Sequence, residues 1–142
     1  MKKFLPRSVK NPQGFTLVEL LVVISIIAIL SVIGITIFTG VQKNARDVKR
    51  KGDIEAISKA LEVAYNSASV APYPALTATM FASGAIPTDS QTAAAYSGIP
   101  TVAGVTYMVC ATLENPTGNA TSNSGAGLGT TTGGFYCRKN AQ

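Results

Sequence analysis

Histidine and tryptophan are absent from the 142 residues, and only two cysteines occur. Without histidine the chain lacks the usual general base near neutral pH and the commonest zinc ligand. Charge is scarce as well, at 13% of residues, about half the roughly 25% of soluble domains. No G-x-S-x-G, no paired carboxylate cluster and no phosphate-binding glycine loop occurs, so the sequence gives an enzyme no support. The length suits one domain. What the chain does have is apolar residues, 46% of the total, and a positive mean hydropathy of +0.27.

The net charge of +5 and the pI near 9.4 invite a nucleic-acid partner, but the charges are not spread evenly. Residues 1–14 hold Lys2, Lys3, Arg7 and Lys10 and no acid. From Leu20 to Gln42 there are 23 residues without a formal charge. Residues 43–62 then carry six basic and four acidic groups, and residues 63–142 only Asp89, Glu114, Arg138 and Lys139. The order is a basic leader, an apolar rod, a charged rod and a nearly neutral head. A DNA-binding stripe needs basic groups interleaved with aromatics. Lys43 to Lys51 has no aromatic and is interrupted by Asp47, and no specific nucleic-acid partner is expected.

At about 1.5 Å per residue the uncharged stretch reaches roughly 35 Å as a helix, enough to cross a hydrocarbon core of about 30 Å. A removable secretory signal has a shorter apolar run, with its small-residue cleavage site after the run. Here Gly14 comes before it, so the apolar segment is kept. Beyond it, apolar or small residues recur at Val41, Ala45, Val48, Gly52, Ile54, Ile57, Leu61, Ala64 and Ala68. This is a helical stripe with one slip near Gly52. Lys43–Asp47, Asp47–Lys51, Lys49–Asp53 and Glu55–Lys59 are spaced four apart, which predicts a solvated, pair-laced helix face. The spacing predicts one helix from about Phe15 to Ala68, with Gly34, Gly40 and Gly52 as places to bend. Asn66, the serines after it, Pro72 and Pro74 end it.

Residues 70–104 read as loop with one short helical turn. Residues 105–115 alternate, with Val105, Tyr107, Val109, Ala111 and Leu113 on one face, and predict a strand. Residues 134–139 predict a second strand, and 92–104 a third. The Gly-rich residues 118–134 between them read as a flexible loop. The fold class is α+β, a long N-terminal helix packed on a small antiparallel sheet. Cys110 and Cys137 enclose 26 residues of this floppy region. A disulfide there stabilises by about 3–4 kcal/mol in the chain-entropy model and places the head outside the cytoplasm. No metal site is expected. Asp89 and Glu114 are the sole acids after Glu62, too few for an all-carboxylate calcium cage; backbone carbonyls, Asn and Thr leave calcium open. Asn119-Ala120-Thr121 fits a glycosylation triplet, a pattern common by chance.

Two features at the start of the rod stand out. Glu19 lies four residues into an apolar run, where a carboxylate at bilayer depth costs about 2.5–3.5 kcal/mol, and it is read as having no structural explanation of its own. Gly14–Phe15 marks an abrupt switch from basic chain to apolar helix. A cut between them gives Phe15 a cationic amine, the charge partner for the Glu19 of a neighbouring subunit.

The stretch KNPQGFTLVELLVVISIIAIL resembles the N-terminal signature of type IV pilins and pseudopilins. The resemblance implies cleavage after Gly14 by a prepilin peptidase, and N-methylation of Phe15 by the same enzyme. It further implies an assembly contact between Glu19 and a neighbour's N-terminus. The segments follow: leader 1–14, removed; membrane and filament-core helix 15–41; amphipathic helix 42–69; disulfide-closed head 70–142. The expected partners are further copies in a helical filament, the peptidase, the inner membrane before assembly, and a pilus or secretion assembly platform. The precursor crosses the membrane with its leader inside. The filament is then a surface pilus or, alternatively, the periplasmic pseudopilus of a type II secretion system.

Overall fold

A computed structural model describes residues 14–100, 102–125, 128–129 and 132–142. The basic leader, apart from Gly14, lies outside the described residues, as do parts of the Gly-rich tract. The described residues form one helix, α1 (Leu17–Val63), a 3-10 turn (Ala78–Met80) and two strands, β1 (Met108–Thr112) and β2 (Phe135–Lys139). It divides into two compact units, one ending at Phe38 and the other running from Thr39 to Gln142.

In the first unit the helical residues are exposed throughout. Its hydroxyls turn back on their own helix: Ser25 donates to the Val22 carbonyl at 2.7 Å, Ser31 to Ile27 at 2.7 Å and Thr36 to Ile33 at 2.9 Å. Such bonds satisfy polar groups without any external partner, as a hydrocarbon surrounding requires.

The helix stops at Val63 rather than at Ala68. Asn66 donates its N–H to the Pro72 carbonyl at 2.9 Å and accepts from the Ala68 N–H through Oδ1 at 3.1 Å. This local turn competes with the helix and takes the chain away from it. No break occurs at Gly34, Gly40 or Gly52.

Ile54, Ile57 and Leu61 are fully buried and build the core of the second unit with Tyr73, Leu76, Tyr96, Tyr107, Val109 and Ala111. Tyr73 packs edge-on against Tyr107 at 4.9 Å between ring centres. The slip near Gly52 is a change of face. A helix turns about 100° per residue, so a step of two carries the row to the opposite side. Val41, Ala45, Val48 and Gly52 are accordingly exposed, while Ile54, Ile57 and Leu61 are buried.

Strands β1 and β2 pair antiparallel, with Cys110 directly opposite Cys137, and the two form a disulfide. As predicted, Tyr107, Val109, Ala111 and Leu113 are buried; Val105 is exposed. No third strand forms within the described part of 92–104. Isolated bridges, Ser97 to Cys110 and Tyr73 to Gly104, replace it. Gly98 explains why: it has a φ of +76°, and a Cβ on it would lie 1.9 Å from the Met108 carbonyl oxygen, so the chain meets β1 only briefly. The described start of the Gly-rich tract is paired rather than a free loop. Residues 118–120 run beside the outer edge of β2 through bridges from Gly118 to Gly133 and from Ala120 to Phe135. A Cβ on Gly118 would come within 2.0 Å of the Phe135 carbonyl oxygen, so glycine is required there. Asn119 donates to the Cys137 carbonyl at 2.9 Å and accepts the Cys137 N–H at 2.7 Å, which commits its side chain to the fold rather than to a glycan. Cys137→Ser is expected to lower the stability of the head by about 3 kcal/mol, read as a lower thermal midpoint; a midpoint that reductant leaves unchanged in the wild type would count against this.

The charged half of α1 keeps Lys43, Lys49 and Lys59 exposed, but its acids do not form the expected solvated face. Asp47 and Arg50 are buried, at 3% and 5% exposure, and its acids bond to the head instead of to lysines one turn away. Arg50 donates to Asp89 at 2.5 Å, Glu114 at 3.0 Å, Asp47 at 3.1 Å and Gln91 at 3.2 Å. Arg46 grips Glu114 with two bonds of 2.5 and 2.6 Å. Asp47 also accepts the backbone N–H groups of Glu114 and Asn115. Glu55 takes Arg138 and Tyr136, Asp53 takes Tyr96, and Glu62 takes Tyr107, Tyr73 and the Ala141 N–H.

These bonds set a pH dependence. The Arg50 hydrogen bond holds Asp89 well below the ordinary carboxylate range, and Arg46 draws Glu114 down to about 2. Burial pushes Asp47 up, but the N–H groups of Glu114 and Asn115, with Arg50, outweigh it and leave it lowered. Carboxylates depressed by folding contribute stability above their unfolded values and lose it as pH falls through the folded ones. Stability of the head is therefore expected to stay level from about pH 7 to 5 and to fall between about pH 4 and 2. Urea unfolding at a series of pH values checks this; a decline already complete at about pH 5 would exclude it.

Candidate functional site

The site is the start of the helix. Gly14, Phe15 and Thr16 precede the first helical residue, Leu17. Phe15 is 90% exposed. Thr16 Oγ1 accepts the Glu19 N–H at 3.2 Å, while Glu19 Oε2 accepts the Thr16 N–H at 2.9 Å and the Thr16 hydroxyl at 2.8 Å. This is a capping box, two otherwise orphaned donors of a helix start satisfied reciprocally. Thr16-Leu17-Val18-Glu19 carries the S/T-x-x-E pattern in full, so the sequence held this signal. The reading of Glu19 as structurally unexplained is corrected: its carboxylate finishes the helix and sits favourably near the positive end of the helix dipole.

The box leaves chemistry over. Both bonds from Thr16 end on Oε2. Among the described residues no donor reaches Oε1, so one oxygen of an exposed carboxylate stays available to an external cation. Gly14 points outward too. A Cβ built there meets nothing within 4 Å, and its φ is not one reserved for glycine. Among the described residues glycine at 14 thus answers no steric demand, unlike Gly98 and Gly118. The helix beyond is long and apolar enough to cross a membrane, and none of its most apolar stretch is buried.

Residues 9–35 match the family model of the prokaryotic N-terminal methylation motif. They carry the signature of type IV pilins and pseudopilins. Gly14, Phe15, Thr16 and Glu19 all fall within the match, and the head lies beyond it. That signature belongs to structural subunits rather than enzymes, and it implies processing by a prepilin peptidase and assembly into pilus-like filaments. No curated protein and no solved structure matches the chain.

The two head carboxylates weighed for calcium, Asp89 and Glu114, are held by guanidinium groups. Among the described residues no group of three or more His, Cys, Asp or Glu is placed to hold a metal.

Proposed function

We propose that this chain is a non-enzymatic structural subunit of a type IV pilus-like filament, made as a precursor. A prepilin peptidase cuts between Gly14 and Phe15, removing 1–14, and the new amine of Phe15 is methylated. Residues 15–41 anchor the precursor in the inner membrane with the leader in the cytoplasm and the head outside, where Cys110 and Cys137 meet oxidising conditions. In the filament the same apolar surface packs against its copies. Residues 42–69 carry the 70–142 head, and no cofactor takes part.

One observation carries the reading: an exposed glycine that the fold does not need, directly before a capped, apolar helix whose first-turn carboxylate keeps an oxygen free. A pilus is favoured over the pseudopilus because the head, closed by a disulfide over a Gly, Thr, Ser and Asn-rich stretch, suits an exposed fibre surface. The test is the mass of the mature N-terminus. A chain beginning at methylated Phe15 is expected, and an intact 142-residue chain or cleavage after the apolar run would sink the proposal. Electron microscopy then separates long surface fibres from a short pseudopilus, which would show instead as failed exoprotein release in a deletion strain.

A further inference from the structure

Strand β1 offers one more ladder position than its neighbours fill. Cys110 exchanges both backbone hydrogen bonds with Ser97, at 3.0 and 3.2 Å, on the edge of β1 turned away from β2. An antiparallel ladder presents the same edge again two residues on, so the N–H and C=O of Thr112 point that way too. Phe135, paired with Thr112 across the sheet, agrees: both its backbone groups bond outward to Ala120. By register Ala95 would take Thr112, but it bridges to Thr88 instead. Among the described residues nothing takes its place.

Residues 94–97 and β1 therefore diverge beyond the Ser97–Cys110 pair, and a cavity of about 370 Å³ lies between them, at the small end of ligand-sized cavities. Buried Arg50 borders it. An arginine has five N–H groups, and four of these are taken by Asp89, Asp47, Glu114 and Gln91. The second hydrogen on Nη2 has no acceptor among the described residues, and a buried donor left so is costly. The divergence is built in. Ala93 has a φ of +56°, a strained conformation for a residue with a Cβ. Its N–H on the Asp89 carbonyl, and Asp89 Oδ1 on the Gln91 and Thr92 N–H groups, hold the loop there.

The open position selects its occupant. The N–H and C=O of one strand residue meet the C=O and N–H of one partner residue, groups that belong to two successive peptide units. A lone amide, as on an acetylated sugar, reaches only one of them. The nearby charges are Asp47, Asp89 and Glu114 against Arg46 and Arg50. One carboxylate is in excess, which favours a basic residue over an acidic one.

We propose that the cavity between residues 94–97 and β1 binds a short extended peptide segment of a partner protein, with small side chains and neutral or basic charge. It adds to the β1 edge at Thr112 and offers a carbonyl to Arg50. This goes beyond the filament reading and does not depend on it.

Nuclear magnetic resonance titration of the isotope-labelled full chain in detergent with N-acetyl-Ala-Ala-Lys-amide tests it. The Thr112 amide is expected to shift and to saturate, with a Kd on the order of 1 mM. The same peptide methylated on every backbone nitrogen cannot form the ladder, and is expected to bind at least about tenfold more weakly. Glutamate in place of its lysine is expected to weaken binding about fivefold. Thr112→Pro removes the N–H at an edge position where proline is tolerated. It is expected to keep the thermal midpoint within about 2 °C and to lose binding. No saturable shift at Thr112, equal binding of the methylated peptide, or binding retained by Thr112→Pro overturns the proposal. So does N-acetylglucosamine binding as tightly as the peptide. Should Thr112→Pro unfold the head, the methylated peptide decides alone.

Discussion

Glu19→Gln is expected to be cut, methylated and inserted as the wild type is, and to be nearly absent from filaments. Glutamine serves in a capping box as glutamate does, so the helix start survives the change. What disappears is the negative charge offered to a neighbour's amine. In a water-excluded bundle an amine left without its partner is strongly disfavoured. Incorporation against a wild-type reference is expected to drop by at least about tenfold on that account. Thr16→Ala is the complementary change, since it opens the cap and keeps the charge. It is expected to fray the first turn and to reduce incorporation far less. Quantifying both variants in sheared fibres against membrane fractions gives the answer. Equal losses would mean that the cap, rather than the charge, is what assembly requires, and full incorporation of Glu19→Gln would refute the pairing.

Arg50→Ala is expected to be the most damaging single change in the head. Three carboxylates converge on this guanidinium: Asp89, Glu114 and Asp47. Removing it leaves buried Asp47 and largely buried Asp89 without their cation, and breaking such a pair typically costs about 3–5 kcal/mol. Arg50→Lys is not expected to rescue, because one ammonium on a flexible stem does not present a planar fork in several directions. Adding Asp89→Asn to Arg50→Ala is expected to recover part of the loss by removing the stranded charge. Urea unfolding of the full chain in detergent reads all three. A loss below about 1 kcal/mol for Arg50→Ala would mean that water, not Arg50, compensates these acids.

Legibility followed from the range of the interactions involved. The rod was readable because its signal is local and redundant, with no charge from Leu20 to Gln42. Strand β1 was readable from strict alternation, and β2 as a short segment, 134–139, returning beside it. The capping box was equally local, yet Glu19 was weighed as a charge in an apolar run rather than as the fourth residue of Thr16-x-x-Glu19. Other features were not legible at all. Spacing suggested that Asp47 pairs with Lys43 or Lys51, but it accepts from Arg50, three residues on, and from the backbone of Glu114 and Asn115, 67 and 68 residues away, and no local pattern encodes the distant partners. The slip at Gly52 was visible as a number. Its meaning depended on knowing which side of the helix the head covers.

The bonds between shaft and head carry one more consequence. They are spaced along the helix, at Asp47, Arg50, Asp53, Glu55, Ser58 and Glu62. Force applied along the helix axis therefore strains them side by side, and all must yield together. Force applied outward at the C-terminal end reaches the Glu62–Ala141 bond first and opens the rest in succession. The head is built to withstand shear and to give way to peeling, so a fibre of such subunits should tolerate tension far better than it tolerates a pull on one exposed tail.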